Sequence, residues 1–84
     1  MNKISQKTLK EVVTELEKSF EKWPFRENIF KQLAVLTEEA GELSQAILQH
    51  QDENGSAENI REEAIQTAAM ALKMILYIDN KGLE

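Results

Sequence analysis

At 84 residues, with 15 acidic against 10 basic side chains and a formal net charge of −5, the chain has the length of one domain, residues 1–84, and lacks the basic surface that a nucleic-acid polymer needs. It has no cysteine, which excludes disulfides and thiolate metal sites. No apolar run approaches a membrane span, and Met1 to Lys10 is polar with isolated Ile4 and Leu9 rather than the apolar centre of a signal peptide, so no membrane and a cytoplasmic location are expected.

The first helix is expected from Ser5 or Thr8 to Trp23. Thr8 with Glu11 fits a capping box, and Leu9, Val12, Val13, Leu16, Phe20 and Trp23 recur at helical spacing. Lys10, Glu11, Glu15, Glu17, Lys18 and Glu21 are its outer face. Pro24 ends it, because proline has no N–H and restrains the residue before it. In the following Trp23-Pro24-Phe25-Arg26 loop, Trp23 and Phe25 either close the core or stack on a planar ligand such as a base.

The second helix is expected from Glu27 or Asn28 to His50. Leu33, Leu36, Ala40, Leu43 and Ile47 form its apolar stripe, and Glu38-Glu39-Ala40-Gly41-Glu42 sets three carboxylates beside it. Glu39 lies at the edge of the stripe, with Glu42 at i+3 on the same side. A carboxylate facing the interior is costly unless it is paired or binds a metal. Lys31 and Gln32, one to two turns earlier, face either solvent or an anionic ligand. His50, the one histidine, is expected to cap carbonyls at the helix end.

Gln51 to Glu58 read as a loop with an Asn54-Gly55 turn, and Asn59 with Glu62 as a second capping box. The third helix is expected from Ile60 to Tyr77 or Asp79, ended by Asn80-Lys81-Gly82. It is apolar nearly all round, with a narrow polar strip of Glu62, Gln66 and Lys73. Such a helix needs burial on most sides, and in so short a chain a second subunit is the simplest source; Ala64, Ala68 and Ala71 would allow close approach. Glu63 falls among Met70, Met74 and Tyr77, so a second acid points into apolar surroundings.

If the second and third helices form an antiparallel hairpin, Glu39 with Glu42 can face Glu63 with Gln66. Three carboxylates and an amide oxygen are hard ligands, suited to Mg²⁺ or Mn²⁺ rather than zinc. The chemistry implied is attack by water on a phosphate ester or anhydride; the alternative is exposed charge with a capping role.

Glu38-Glu39-Ala40-Gly41-Glu42, set between Leu33-Ala34-Val35-Leu36-Thr37 and Leu43-Ser44-Gln45-Ala46, resembles the Glu-Glu-x-x-Glu signature of the MazG-like all-α nucleoside triphosphate pyrophosphohydrolases. The family's second motif, Glu-x-x-Asp, aligns with Glu63-x-x-Gln66, and the resemblance runs from about Asn28 to Tyr77. It implies an all-α fold, a helical hairpin plus an N-terminal helix, assembled as a homodimer or homotetramer into a four-helix-type bundle that holds Mg²⁺. It also implies cleavage of a nucleoside triphosphate to the monophosphate and pyrophosphate, of the kind that clears unwanted nucleotides. Glu39, Glu42 and Glu63 resemble the metal ligands, with Gln66 in the place of the fourth, and Glu38 resembles the acid that activates the attacking water. Lys31 would be a phosphate contact and Trp23 a base contact. Gln66 stands where the family has Asp, which removes one negative charge; a weakened or inactive binding or oligomerisation module is the alternative, and phosphoribosyl-ATP hydrolysis a third reading.

Overall fold

A computed structural model describes residues 5–82. Ile4, one of the isolated apolar residues at the N-terminus, lies outside that range. Three helices follow one another: α1 (Gln6–Lys22), α2 (Ile29–Glu53) and α3 (Ala57–Lys81), with no strand among the described residues.

Each helix begins at a side-chain oxygen that satisfies an otherwise unpaired backbone N–H. Ser5 Oγ accepts from the Thr8 N–H at 3.3 Å, Asn28 Oδ1 from Lys31 N–H at 2.9 Å, and Ser56 Oγ from Asn59 N–H at 3.0 Å. The caps expected at Thr8 and Asn59 are therefore displaced one turn upstream: a serine three residues earlier takes each cap, and Thr8 and Asn59 supply the capped N–H. α2 also outruns its expected end at His50 and reaches Glu53. The connection to α3 is correspondingly short. Asn54 adopts the left-handed conformation (φ 58°), and the Gly55 N–H returns to the Gln49 carbonyl at 2.9 Å. A Cβ at Gly55 would meet Gln49 backbone and side-chain atoms at 3.1 Å, so the close return favours glycine there. His50 Nδ1 lies 2.6 Å from Gly55 O, a carbonyl of the turn rather than one of those at the helix end that it is expected to cap.

α3 is the central element, packing against α2 as a hairpin and against α1. Contacts from Glu11 to Arg61 and from Ser19 to Lys73 show that α1 runs parallel to α3, and hence antiparallel to α2. Leu16, Ala69 and Met70 form the buried centre, with Val12 and Phe20 of α1, Val35 and Leu36 of α2, and Leu72 and Leu76 of α3 packed around them. Phe25 closes the far end, edge-on to both Phe20 (5.2 Å between ring centroids) and Tyr77 (5.5 Å). Trp23 does not join it; the indole is half exposed, beneath the Arg26 guanidinium.

The stripe predicted on α2 is used on one side only: Leu36 and Leu43 are partly buried, whereas Leu33 and Ile47 are exposed. On α3, Ala64, Ala68, Ile75 and Ile78 are likewise exposed. The third helix is thus covered by α1 and α2 but bare on its outer side within one chain.

Candidate metal centre and cleft

α1 and α2 flank α3 without packing on each other, which leaves a cleft between them. Gln66, Met70 and Lys73 form its floor, at successive turns of α3. Glu15, Lys18, Ser19, Glu21 and Lys22 of α1 stand on one wall, Gln32, Val35, Glu38 and Glu39 of α2 on the other, and Trp23 and Arg26 close the end at the α1–α2 loop. The cleft encloses about 530 Å³.

At its other end the hairpin brings Glu39, Glu42 and Glu63 together, each offering a carboxylate oxygen within 4.8 Å of the others. The i, i+3 spacing sets Glu39 and Glu42 on one side of α2, and the antiparallel partner delivers Glu63. Partial burial pushes the Glu39 carboxyl up to about 6, aided by the negative charges of Glu42, Glu63 and Glu38. Glu63 is raised in the same direction, by burial first and then by Glu42 and Glu62. Gln66 completes the group. With its amide nitrogen turned to the carboxylates it donates to Glu39 Oε1 and Glu63 Oε1, 3.2 Å each. Turned the other way, the same amide presents an oxygen to whatever the carboxylates hold. The donor set, three carboxylates and a reversible amide, fits a hard divalent cation.

Of the other residues singled out in the sequence, Glu38 lines the cleft beside Glu39, on its solvent side, and Trp23 stands at the loop end. Lys31 is not among the lining residues; it is exposed and pairs with Glu27 at 2.6 Å, one turn back. Gln32 lines the cleft but is spent internally: it is 1% exposed, and its Oε1 accepts the Arg26 N–H at 3.1 Å.

Lys73 departs most from its expected place. Of the polar strip of α3, Gln66 and Lys73 face the cleft while Glu62 is exposed outside it, and Lys73 is 2% exposed. Its Nζ donates to Ser19 Oγ at 2.7 Å and to the Trp23 carbonyl at 2.9 Å, and lies 4.5 Å from the centre of the Phe20 ring. Burial, with Arg26 nearby, holds its pKa below the usual lysine value. The signal for this was a lysine on the helix that is otherwise most apolar, in line with Gln66.

No family model, curated protein or solved structure matches the chain.

Proposed function

We propose that the protein is a MazG-like, divalent-cation-dependent nucleoside triphosphate pyrophosphohydrolase that acts in the cleft and works as a homo-oligomer. The observation that carries this reading is the meeting of Glu39, Glu42 and Glu63 across the hairpin, with Glu38 on the adjoining cleft wall. Glu39, Glu42 and Glu63 would hold Mg²⁺ or Mn²⁺, with the Gln66 amide oxygen as a fourth donor. A bound cation supplies charge neutralisation at the phosphates. Glu38 orients a water and accepts its proton as the water oxygen bonds to the α-phosphorus. The anhydride bond to the β-phosphate breaks, and pyrophosphate leaves from the nucleoside monophosphate. Trp23, expected as the base contact, stands half exposed at the loop end beneath the Arg26 guanidinium, and Lys31, expected as a phosphate contact, pairs with Glu27 and is not among the residues that line the cleft.

The exposed faces of α2 and α3 support assembly. Phe30 is 77% exposed, Leu33 47% and Ile75 54%, an arrangement that a second copy would cover.

The Gln66 amide favours a second reading. Its nitrogen can bridge Glu39 and Glu63 without any cation, which suits a chain that keeps the fold as a binding or oligomerisation module and turns over slowly or not at all.

The test is pyrophosphate release from a panel of ribo- and deoxyribonucleoside triphosphates, in Mg²⁺ and in chelator. Metal-dependent release that Glu39→Ala abolishes supports the hydrolase. Absence of release from both the natural protein and Gln66→Asp supports the module.

A further inference from the structure

The Lys73 ammonium is the feature that the proposed reaction leaves unused. A buried cation is costly unless a counter-charge accompanies it. Among the described residues Lys73 has none: its hydrogen-bond partners are a hydroxyl and a peptide carbonyl, both neutral. The charged group that acts on it from the cleft end is another cation, Arg26.

Arg26 is equally without a carboxylate. Among the described residues the ion pairs are Lys31 with Glu27 and Arg61 with Glu11; Lys18, Lys22, Arg26 and Lys73, all lining the cleft, belong to neither. The acidic residues of the same lining, Glu15, Glu21, Glu38 and Glu39, form no ion pair with them. The loop that carries Arg26 is fastened from three sides: the Trp23 carbonyl to Lys73, the Arg26 N–H to Gln32, and the Phe25 ring between Phe20 and Tyr77. The guanidinium therefore stands on a fixed backbone, resting over the Trp23 ring at 4.9 Å.

We propose that Lys73 and Arg26 form an anion subsite at the loop end of the cleft, which takes a phosphate group of the ligand. Lys73 supplies a charge already stripped of water, so an entering anion replaces the neutral surroundings with a counter-charge. Arg26 supplies a planar set of donors that matches phosphate oxygens. Lys73 follows Gln66 by seven residues, about 10 Å along the helix axis. On the nucleotide reading, on which the identity of this anion rests, the carboxylate end holds the cation and the scissile phosphates. The lysine–arginine end holds the outer phosphates, those that leave as pyrophosphate. The subsite itself requires only an anion of that chemistry.

The experiment is calorimetric titration of the full chain with inorganic pyrophosphate, in Mg²⁺ and in chelator, for the natural protein, Arg26→Ala, Lys73→Met and Lys10→Ala. Circular dichroism checks the fold of each. The expected result is binding to the natural protein and to Lys10→Ala in Mg²⁺, weakened tenfold or more in Arg26→Ala and in Lys73→Met. Should Lys73→Met fail to fold, Arg26→Ala decides alone, since its side chain lies at the surface of the cleft. Failure of the natural protein to bind pyrophosphate in either buffer overturns the subsite. So does a folded Arg26→Ala that binds within twofold of the natural protein. The two readings separate: Arg26-dependent binding without hydrolysis of any nucleoside triphosphate keeps the subsite and removes the hydrolase. Hydrolysis with an unchanged KM in Arg26→Ala does the reverse.

Discussion

The carboxylates of Glu39 on α2 and Glu63 on α3 meet across the hairpin, and the Gln66 amide spans them with 3.2 Å contacts to each. Three acids share this place, yet the group carries one amide where a fourth acid would add further repulsion. The amide nitrogen is a donor to two carboxylates, and rotation of the same group makes it a donor oxygen for a cation. Stability and cation affinity are thereby tied to one side chain.

Gln66→Asp is expected to separate the two. In chelator the fourth carboxylate removes the bridging hydrogen bonds and adds like charge, so the variant melts lower, at a cost of about 1 kcal/mol. In Mn²⁺ or Mg²⁺ the order reverses, because an added carboxylate raises affinity for the cation, and binding to the native state alone raises the melting temperature. Thermal unfolding with and without metal checks both signs. A variant that melts below the natural protein in both buffers argues against a cation at this place.

Glu39 sets a pH dependence. Its carboxyl is raised to about 6, above its unfolded value, so the neutral form is favoured in the folded chain. The associated stability is fully present below the unfolded glutamate pKa and is lost as pH rises through about 6. Without metal, Glu39→Gln should match the natural protein near pH 4.5 and exceed it at pH 7.5. The gain should be about 1 kcal/mol once solvent screening of this partly exposed group is allowed for. Urea unfolding at the two pH values measures it. Metal affinity runs the other way and weakens below about pH 6, because the ligand must be deprotonated.

Gln32 is a structural prediction with a spectroscopic readout. Gln32→Leu keeps the volume of a buried side chain but leaves the Arg26 N–H without its acceptor. The expected cost is about 1–3 kcal/mol. Trp23, the one tryptophan, sits in the same loop, so its fluorescence should shift in the folded variant as the loop loosens. An unchanged spectrum and midpoint would mean that Phe25 and Lys73 hold the loop without Gln32.

The bare outer side of the hairpin predicts assembly. Leu33→Glu or Ile75→Glu places a charge on an exposed residue, so a monomer should tolerate either change. Sedimentation is expected to show an oligomer for the natural protein and a smaller species for each variant, with pyrophosphate release falling in parallel. Identical sedimentation of all three would show that these faces are not the interface.

Much of this was legible from residue order. Pro24 forced the end of α1 at the loop, and Asn54-Gly55 forced the hairpin turn, since these residues restrict or permit backbone angles wherever they stand. The i, i+3 acids of α2 and the Glu63 of α3 follow from helical periodicity once an antiparallel hairpin is granted. The caps were harder to locate. Ser5 and Thr8, like Ser56 and Asn59, are both able to cap, and the choice depends on which turn the packed helix occupies.

Periodicity assigns a residue an angle on its helix and says nothing of the neighbour found at that angle. The amino-acid sequence alone therefore determined three helices and the turn residues between them, and it put Glu39, Glu42 and Glu63 on faces that meet once the last two helices form a hairpin. The tertiary structure decided that Gln66 and Lys73 of α3 lie under a cleft, that Lys73 is buried there without a counter-charge, and that Lys31 stands apart with Glu27. It did so because α1 and α2 both rest on α3 and leave the space between them open. The same lysine that would be solvated on a free helix becomes a desolvated charge on that floor.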